Sequence, residues 1–192
     1  MIRKIKTQEE IDAKKRKNKI LLAVSIIIIM VFSTLGYALI GNGAGAQQKK
    51  KYNGYTFVQN NGYWSVTAEN QAFYFKYLPE EIENVSVKGI YNLQTYSNKP
   101  LYFVNNNIAS NQILSNLGSL ISRYQEACLE DMNCTSNLPK KTCEDNVIIF
   151  ENFNENSSSE TKVYQNKNCV YISGDFTKGA DAFSYKLAGI RY

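Results

Sequence analysis

The chain has 192 residues, 44% of them hydrophobic and 20% charged, with no histidine, four cysteines and a formal net charge of +5. The lack of histidine excludes a Ser–His–Asp triad and removes the commonest general base and the commonest zinc ligand. The basic excess does not point to nucleic acid: residues 1–19 hold eight Lys/Arg against three acids, and the remaining 14 basic and 14 acidic residues cancel.

Met1–Lys19 reads as a basic tail, on the cytoplasmic side and in contact with anionic lipid head groups. Ile20–Ile40 follows, 21 residues without a charge. As a helix it would cover about 30 Å, the thickness of a bilayer's hydrocarbon. The expectation is a single transmembrane helix acting as a signal-anchor. The flanking cations put the N-terminus inside and the C-terminal domain outside, in a cytoplasmic or plasma membrane. Cleavage after Ala46, at the small-x-small run Ala44-Gly45-Ala46, is the alternative. It is disfavoured because removable leaders have roughly 7–15 apolar residues within roughly 15–30 overall. Gly41–Lys51, GNGAGAQQKKK, reads as a flexible linker.

Residues 52–192 form the expected extracytoplasmic domain. Thr56–Gln59 and Tyr63–Thr67 read as strands joined by Asn60-Asn61-Gly62, since Asn-Gly supplies the positive φ angles of a tight hairpin. Phe73–Tyr77 is a third strand, giving a β-meander over about 52–77 with Trp64, Phe73 and Phe75 as candidate core residues. Glu80 and Glu81 are adjacent acids on a helical turn, and read as a solvated face rather than an acid/base pair.

An α/β part is expected over about 100–192. Leu101–Val104 reads as a strand. A helix over Ser110–Leu129 is suggested by Leu114, Leu117, Ile121, Tyr124 and Cys128 at spacings of three and four. Val147–Glu151, Lys162–Gln165 and Val170–Ser173 read as strands, and Phe176–Ile190 as a closing helix capped by Asp175. The fold class expected is therefore α+β: an N-terminal transmembrane helix, then a small exported domain with an antiparallel meander and an α/β layer.

Cys128, Cys134, Cys143 and Cys169 all fall in this domain. An even number in an exported region reads as two disulfides. The preferred pairs are Cys128–Cys134, stapling a helix end to its loop, and Cys143–Cys169, tying two strands; sequence alone allows three pairings. No CxxC pair is present to suggest a zinc site or a redox dithiol. Three N-x-S/T sequons at Asn84, Asn133 and Asn156 are candidate glycosylation sites. Phosphate-cradling GxGxxG and GxxxxGK[ST] loops and the GxSxG elbow are absent.

The stretches YNGYTFVQNNGYWSV and FYFKYLPEEIENVSV, the Cys-rich segment and GDFTKGADAFSYKLAGI resemble uncharacterised membrane-anchored proteins of small-genome archaea. That resemblance implies an exported, anchored domain in an archaeal envelope, and no particular activity. The function expected is a non-enzymatic interaction or scaffold component without a cofactor, partnered by the bilayer through residues 20–40 and by another envelope protein. The alternative is a glycan- or small-ligand-binding surface built on Trp64 and Tyr63. An enzyme using carboxylates or thiols is the least favoured.

Overall fold

The computed structural model describes residues 8–43, 47–134, 137–151 and 160–192, with α1 side chains described at 9, 12 and 15–33. The chain forms two units, Met1–Ala46 and Gln47–Tyr192.

The described residues of the first unit form one helix, α1, Gln8–Gly43. Lys15, Arg16, Lys17 and Lys19 lead without a break into Ile20–Phe32, whose large apolar side chains are exposed. Among the described residues no helix is long and apolar enough to cross a membrane. This finding overturns the transmembrane helix at 20–40, its signal-anchor role, and the single-pass localisation with its inside–outside orientation.

The second unit opens with a four-strand antiparallel meander: β1 Lys49–Tyr52, β2 Tyr55–Asn60, β3 Tyr63–Ala68 and β4 Gln71–Phe75, in that spatial order. The linker expected at 41–51 therefore gives way to a strand from Lys49. Three lysines can occupy β1 because it is an edge strand whose side chains stay in water. Asn61 and Gly62, with φ of 49° and 80°, make the β2–β3 turn, and Asn53 and Gly54, at 45° and 82°, make the β1–β2 turn the same way. Phe57, Trp64, Val66, Phe73 and Phe75 are buried, with Trp64 opposite Phe75 and Val66 opposite Phe73 across the β3–β4 ladder.

Two short 3-10 turns, Pro79–Glu81 and Leu93–Tyr96, flank β5, Ser86–Lys88. Then come β6 Pro100–Val104, α2 Ile108–Leu117, β7 Arg123–Glu126, the short pair β8 Cys128–Leu129 and β9 Lys140–Lys141, β10 Asn146–Glu151, β11 Lys162–Asn166, β12 Cys169–Ser173 and α3 Phe176–Leu187. The main sheet runs β5-β11-β12-β10-β6-β7. β12, β10, β6 and β7 are parallel, while β11 is antiparallel to β12 and parallel to β5.

The helix expected at 110–129 ends at Leu117. Gly118 and Ser119 weaken helix propensity, and the β6 edge offers the following backbone a ladder instead. Tyr124 and Cys128 consequently sit on strands, Tyr124 62% exposed. The closing helix stops at Leu187 rather than Ile190, because Gly189 adopts φ of 70° just past its end.

β10 is buried on both faces, as the centre of a parallel sheet must be. Ile148 and Phe150 join the main core with Ile113 and Leu117 of α2, Phe183 and Tyr185 of α3, and the aromatic residues of the meander. Phe75 and Tyr185 stack at 3.7 Å between centroids. α2 and α3 pack on each other, and α3 touches β4 as well as β11 and β12, so the helices lie between the two sheets. Val147 and Ile149 point the other way, into a smaller cluster with Tyr102, Val104, Ala127, Leu129 and Cys169. The Cys-rich segment covers that cluster, pinned by disulfides Cys128–Cys134 and Cys143–Cys169 with Cα atoms 6.3 and 4.9 Å apart.

Candidate functional site

The helix α2 carries the chain from β6 to β7 on one side, while β10 takes the other side of β6. The carboxyl end of β6 is thus a topological switch point, where open parallel sheets leave a crevice. A cleft of about 420 Å³ opens there. Its floor is the ends of β6 and β7, Phe103, Val104 and Ala127; its outer wall is Met132, Asn133, Cys134 and Leu138.

Three consecutive asparagines build the rim. Asn105 takes φ of 56°, a conformation its short polar side chain tolerates, and turns the chain out of β6. Its Nδ2 donates to the Phe150 carbonyl at 2.9 Å, tying the turn to the end of β10. Asn107 caps α2, its Oδ1 accepting from the Ala109 N–H at 2.9 Å. Asn106, between them, projects into the cleft and donates from Nδ2 to Oε1 of Glu126 at 2.5 Å. Among the described residues of the lining Glu126 is the one ionisable group, so they offer a carboxylate, amides and an apolar floor, with no cation for an anionic ligand. The wall is held by the Cys128–Cys134 disulfide and by the Cys128 N–H donating to the Pro139 carbonyl at 3.0 Å.

A second cavity of about 450 Å³ lies where Tyr63, Lys76 and Tyr77 face Gln112 of α2 and Thr177 of α3. Behind it Asp181, fully buried, accepts the Lys76 and Tyr77 N–H groups on Oδ2, both at 2.8 Å. Burial pushes this carboxyl up to about 7, against the two backbone hydrogen bonds that favour its charged form. Tyr102 behaves oppositely: the Arg123 guanidinium at 3.4 Å from its hydroxyl, with Lys141 near, draws it below the ordinary phenol range.

The residues singled out in the sequence do not converge. Trp64 is 6% exposed and belongs to the core, so it cannot present a ligand surface; Tyr63, its neighbour on the opposite face of β3, is 44% exposed and lines the second cavity under Lys76 Nζ, 5.3 Å from its ring. Asn84 is exposed in the turn before β5, Asn133 is exposed beside Cys134 on the cleft wall, and Asn156 lies outside the described residues. Asp175 is a helix cap, accepting the Thr177 and Lys178 N–H groups at 3.0 and 3.1 Å. Among the described residues no three His, Cys, Asp or Glu side chains gather as metal ligands would. Asn105, Asn106 and Glu126 were not anticipated; an Asn-Asn-Asn run directly after a strand is the signal that marks the rim. Comparison of the chain with family models, with curated proteins and with solved structures gives no match.

Proposed function

We propose that Gln47–Tyr192 is a binding module of an oxidising compartment, and that the cleft at the carboxyl ends of β6 and β7 takes a neutral, hydroxyl-rich ligand of the saccharide or polyol class. The Asn106–Glu126 pair at the switch point carries this reading, because amide and carboxylate groups exchange hydrogen bonds with hydroxyls in both directions. The apolar floor suits the C–H faces of a sugar ring, and the one carboxylate among the described lining residues disfavours phosphates and acids. The two disulfides support an oxidising compartment. Binding is favoured over catalysis because the lining pairs Glu126 with an amide rather than with a second acid or base.

The test is a glycan array followed by calorimetric titration of any saccharide that binds. Asn106→Ala and Glu126→Gln should each weaken binding at least tenfold while leaving the thermal transition in place. An array without binding, or affinity untouched by both substitutions, refutes the assignment. A second reading, a non-enzymatic docking or scaffold component, is favoured by one separate observation: all four residues of the sheet-edge strand β7 are exposed.

A further inference from the structure

The described sheet edges are not treated alike. On β4 the edge is sealed by side chains: Asn116 accepts the Tyr74 N–H at 2.7 Å and donates to the Tyr74 carbonyl at 3.0 Å, Gln112 donates to the same carbonyl at 2.7 Å, and Asp181 takes the next two amides. On β1 three successive lysines discourage a neighbour, and β5 is three residues long. β7, four residues long, lacks the side-chain seal and the run of like charge: Arg123 and Glu126, at its two ends, carry opposite charges. Its residues are exposed on both faces of the sheet, and among the described residues no strand pairs along its outer side.

Ala127 N–H donates to the Phe103 carbonyl at 2.8 Å. With the two-residue period of a parallel ladder, Gln125 then turns its backbone groups toward β6, and Tyr124 and Glu126 turn theirs outward. We propose that β7 pairs antiparallel with β7 of a second copy of this chain, about a twofold axis normal to the sheet, with Gln125 opposite the partner's Gln125 and Tyr124 opposite the partner's Glu126.

The register follows from elimination. A twofold normal to the sheet keeps each residue on its own face, so it must pass between a residue and its own copy. Centring on Arg123 or on Glu126 sets like charges directly opposite one another. Centring on Tyr124 matches the outward groups of Glu126 with Ser122, outside the strand. Centring on Gln125 pairs the outward N–H and C=O groups of Tyr124 with those of the partner's Glu126, and sets a phenol donor beside a carboxylate. The two main sheets would become one continuous sheet. The pairing does not depend on the ligand reading. If both hold, the partner's Tyr124 ring stands beside Glu126 and adds an aromatic wall to the cleft.

Gln125→Cys and Tyr124→Cys in the full chain test this under mild oxidation, read by non-reducing electrophoresis and peptide mapping. In the proposed register the Gln125 Cα atoms are a non-hydrogen-bonded pair about 4.5 Å apart, within disulfide reach, whereas the two Tyr124 Cα atoms lie more than about 7 Å apart. The Gln125→Cys chain should cross-link to itself at least fivefold more than the Tyr124→Cys chain, through the introduced thiols. Adding Glu126→Lys should cut that cross-link severalfold. Association through the exposed apolar side chains of α1 would cross-link both variants equally. Equal yields, no cross-link at either position, or preferential linkage through Tyr124→Cys overturns the proposal.

Discussion

Asp181 gives the sharpest test of the packing. It is fully buried between α3 and the end of β4, and its Oδ2 is the acceptor for two consecutive backbone amides. Burial moves the carboxyl from 3.8 to about 7. The unfolded chain releases this proton near pH 4, the folded chain near pH 7. Between those values the folded state holds the extra proton, so this group's contribution to stability is fully present below about pH 4 and is lost as pH rises to about 7. A shift of about three pH units corresponds to about 4 kcal/mol, an upper figure because relaxation around the charge lowers it. Asp181→Asn imitates the protonated acid and does not titrate; its carbonyl oxygen can still accept both amides. Urea unfolding of wild type and variant at intervals from pH 4 to pH 8 isolates the group, since all other carboxylates cancel in the difference. The variant should gain on the wild type steadily as pH rises, by about 4 kcal/mol at most, or about 8–16 °C in the thermal transition of a domain this size. A difference that is flat with pH, or that changes in the wild type's favour, would refute the reasoning. It would mean that the two amides outweigh desolvation and hold the carboxylate charged.

Two further perturbations probe other parts of the domain. Replacing Cys143 and Cys169 by Ser should cost about 3.5 kcal/mol in urea unfolding, against about 2 kcal/mol for the Cys128–Cys134 pair, because the longer cross-linked loop restrains the unfolded chain more; equal losses would show that loop length is not the controlling factor. Gly179→Ala should destabilise by about 1–3 kcal/mol, although alanine is the better helix former, because a Cβ there collides with Ile172 of β12 where α3 presses on the sheet; a variant as stable as wild type would mean that α3 can retreat from the sheet.

Local signals in the sequence were legible where a residue type has one physical use. Asn61-Gly62 announced a hairpin because few other pairs accept two positive φ angles, and Asp175 announced a helix start through its side-chain acceptor. The same Asn-Gly signal stands at Asn53-Gly54, but Lys49–Lys51 before it reads as a spacer; an edge strand can be largely polar, so hydrophobic pattern is silent there. The helix expected from sequence runs past Leu117 because Ile121, Tyr124 and Cys128 continue its spacing, and a three-to-four repeat cannot tell a helical stripe from apolar residues scattered through a turn and two strands. The uncharged run at 20–40 carried the membrane reading by length alone. The cleft was illegible for another reason. Asn106 and Glu126 are 20 residues apart, and only the parallel pairing of β6 with β7 brings them to one end of the sheet.

The disulfides and the cleft are linked by the unequal thickness of the core. One face of the main sheet is covered by two helices and the aromatic meander; among the described residues the other buries the small cluster around Val147 and Ile149. Such a thin layer gains little from apolar burial, at roughly 25 cal/mol per Å², and the described residues of the segment over it contribute only the two-residue strands β8 and β9 as regular structure. Cross-links replace the missing burial: Cys143–Cys169 ties the segment to β12, and Cys128–Cys134 closes its outer loop. That loop is also the cleft wall at Met132, Asn133 and Cys134. The side of the domain that is weakest in apolar packing is therefore the one whose shape the disulfides set, and the proposed ligand would meet a wall ordered by covalent bonds and a floor ordered by the parallel sheet.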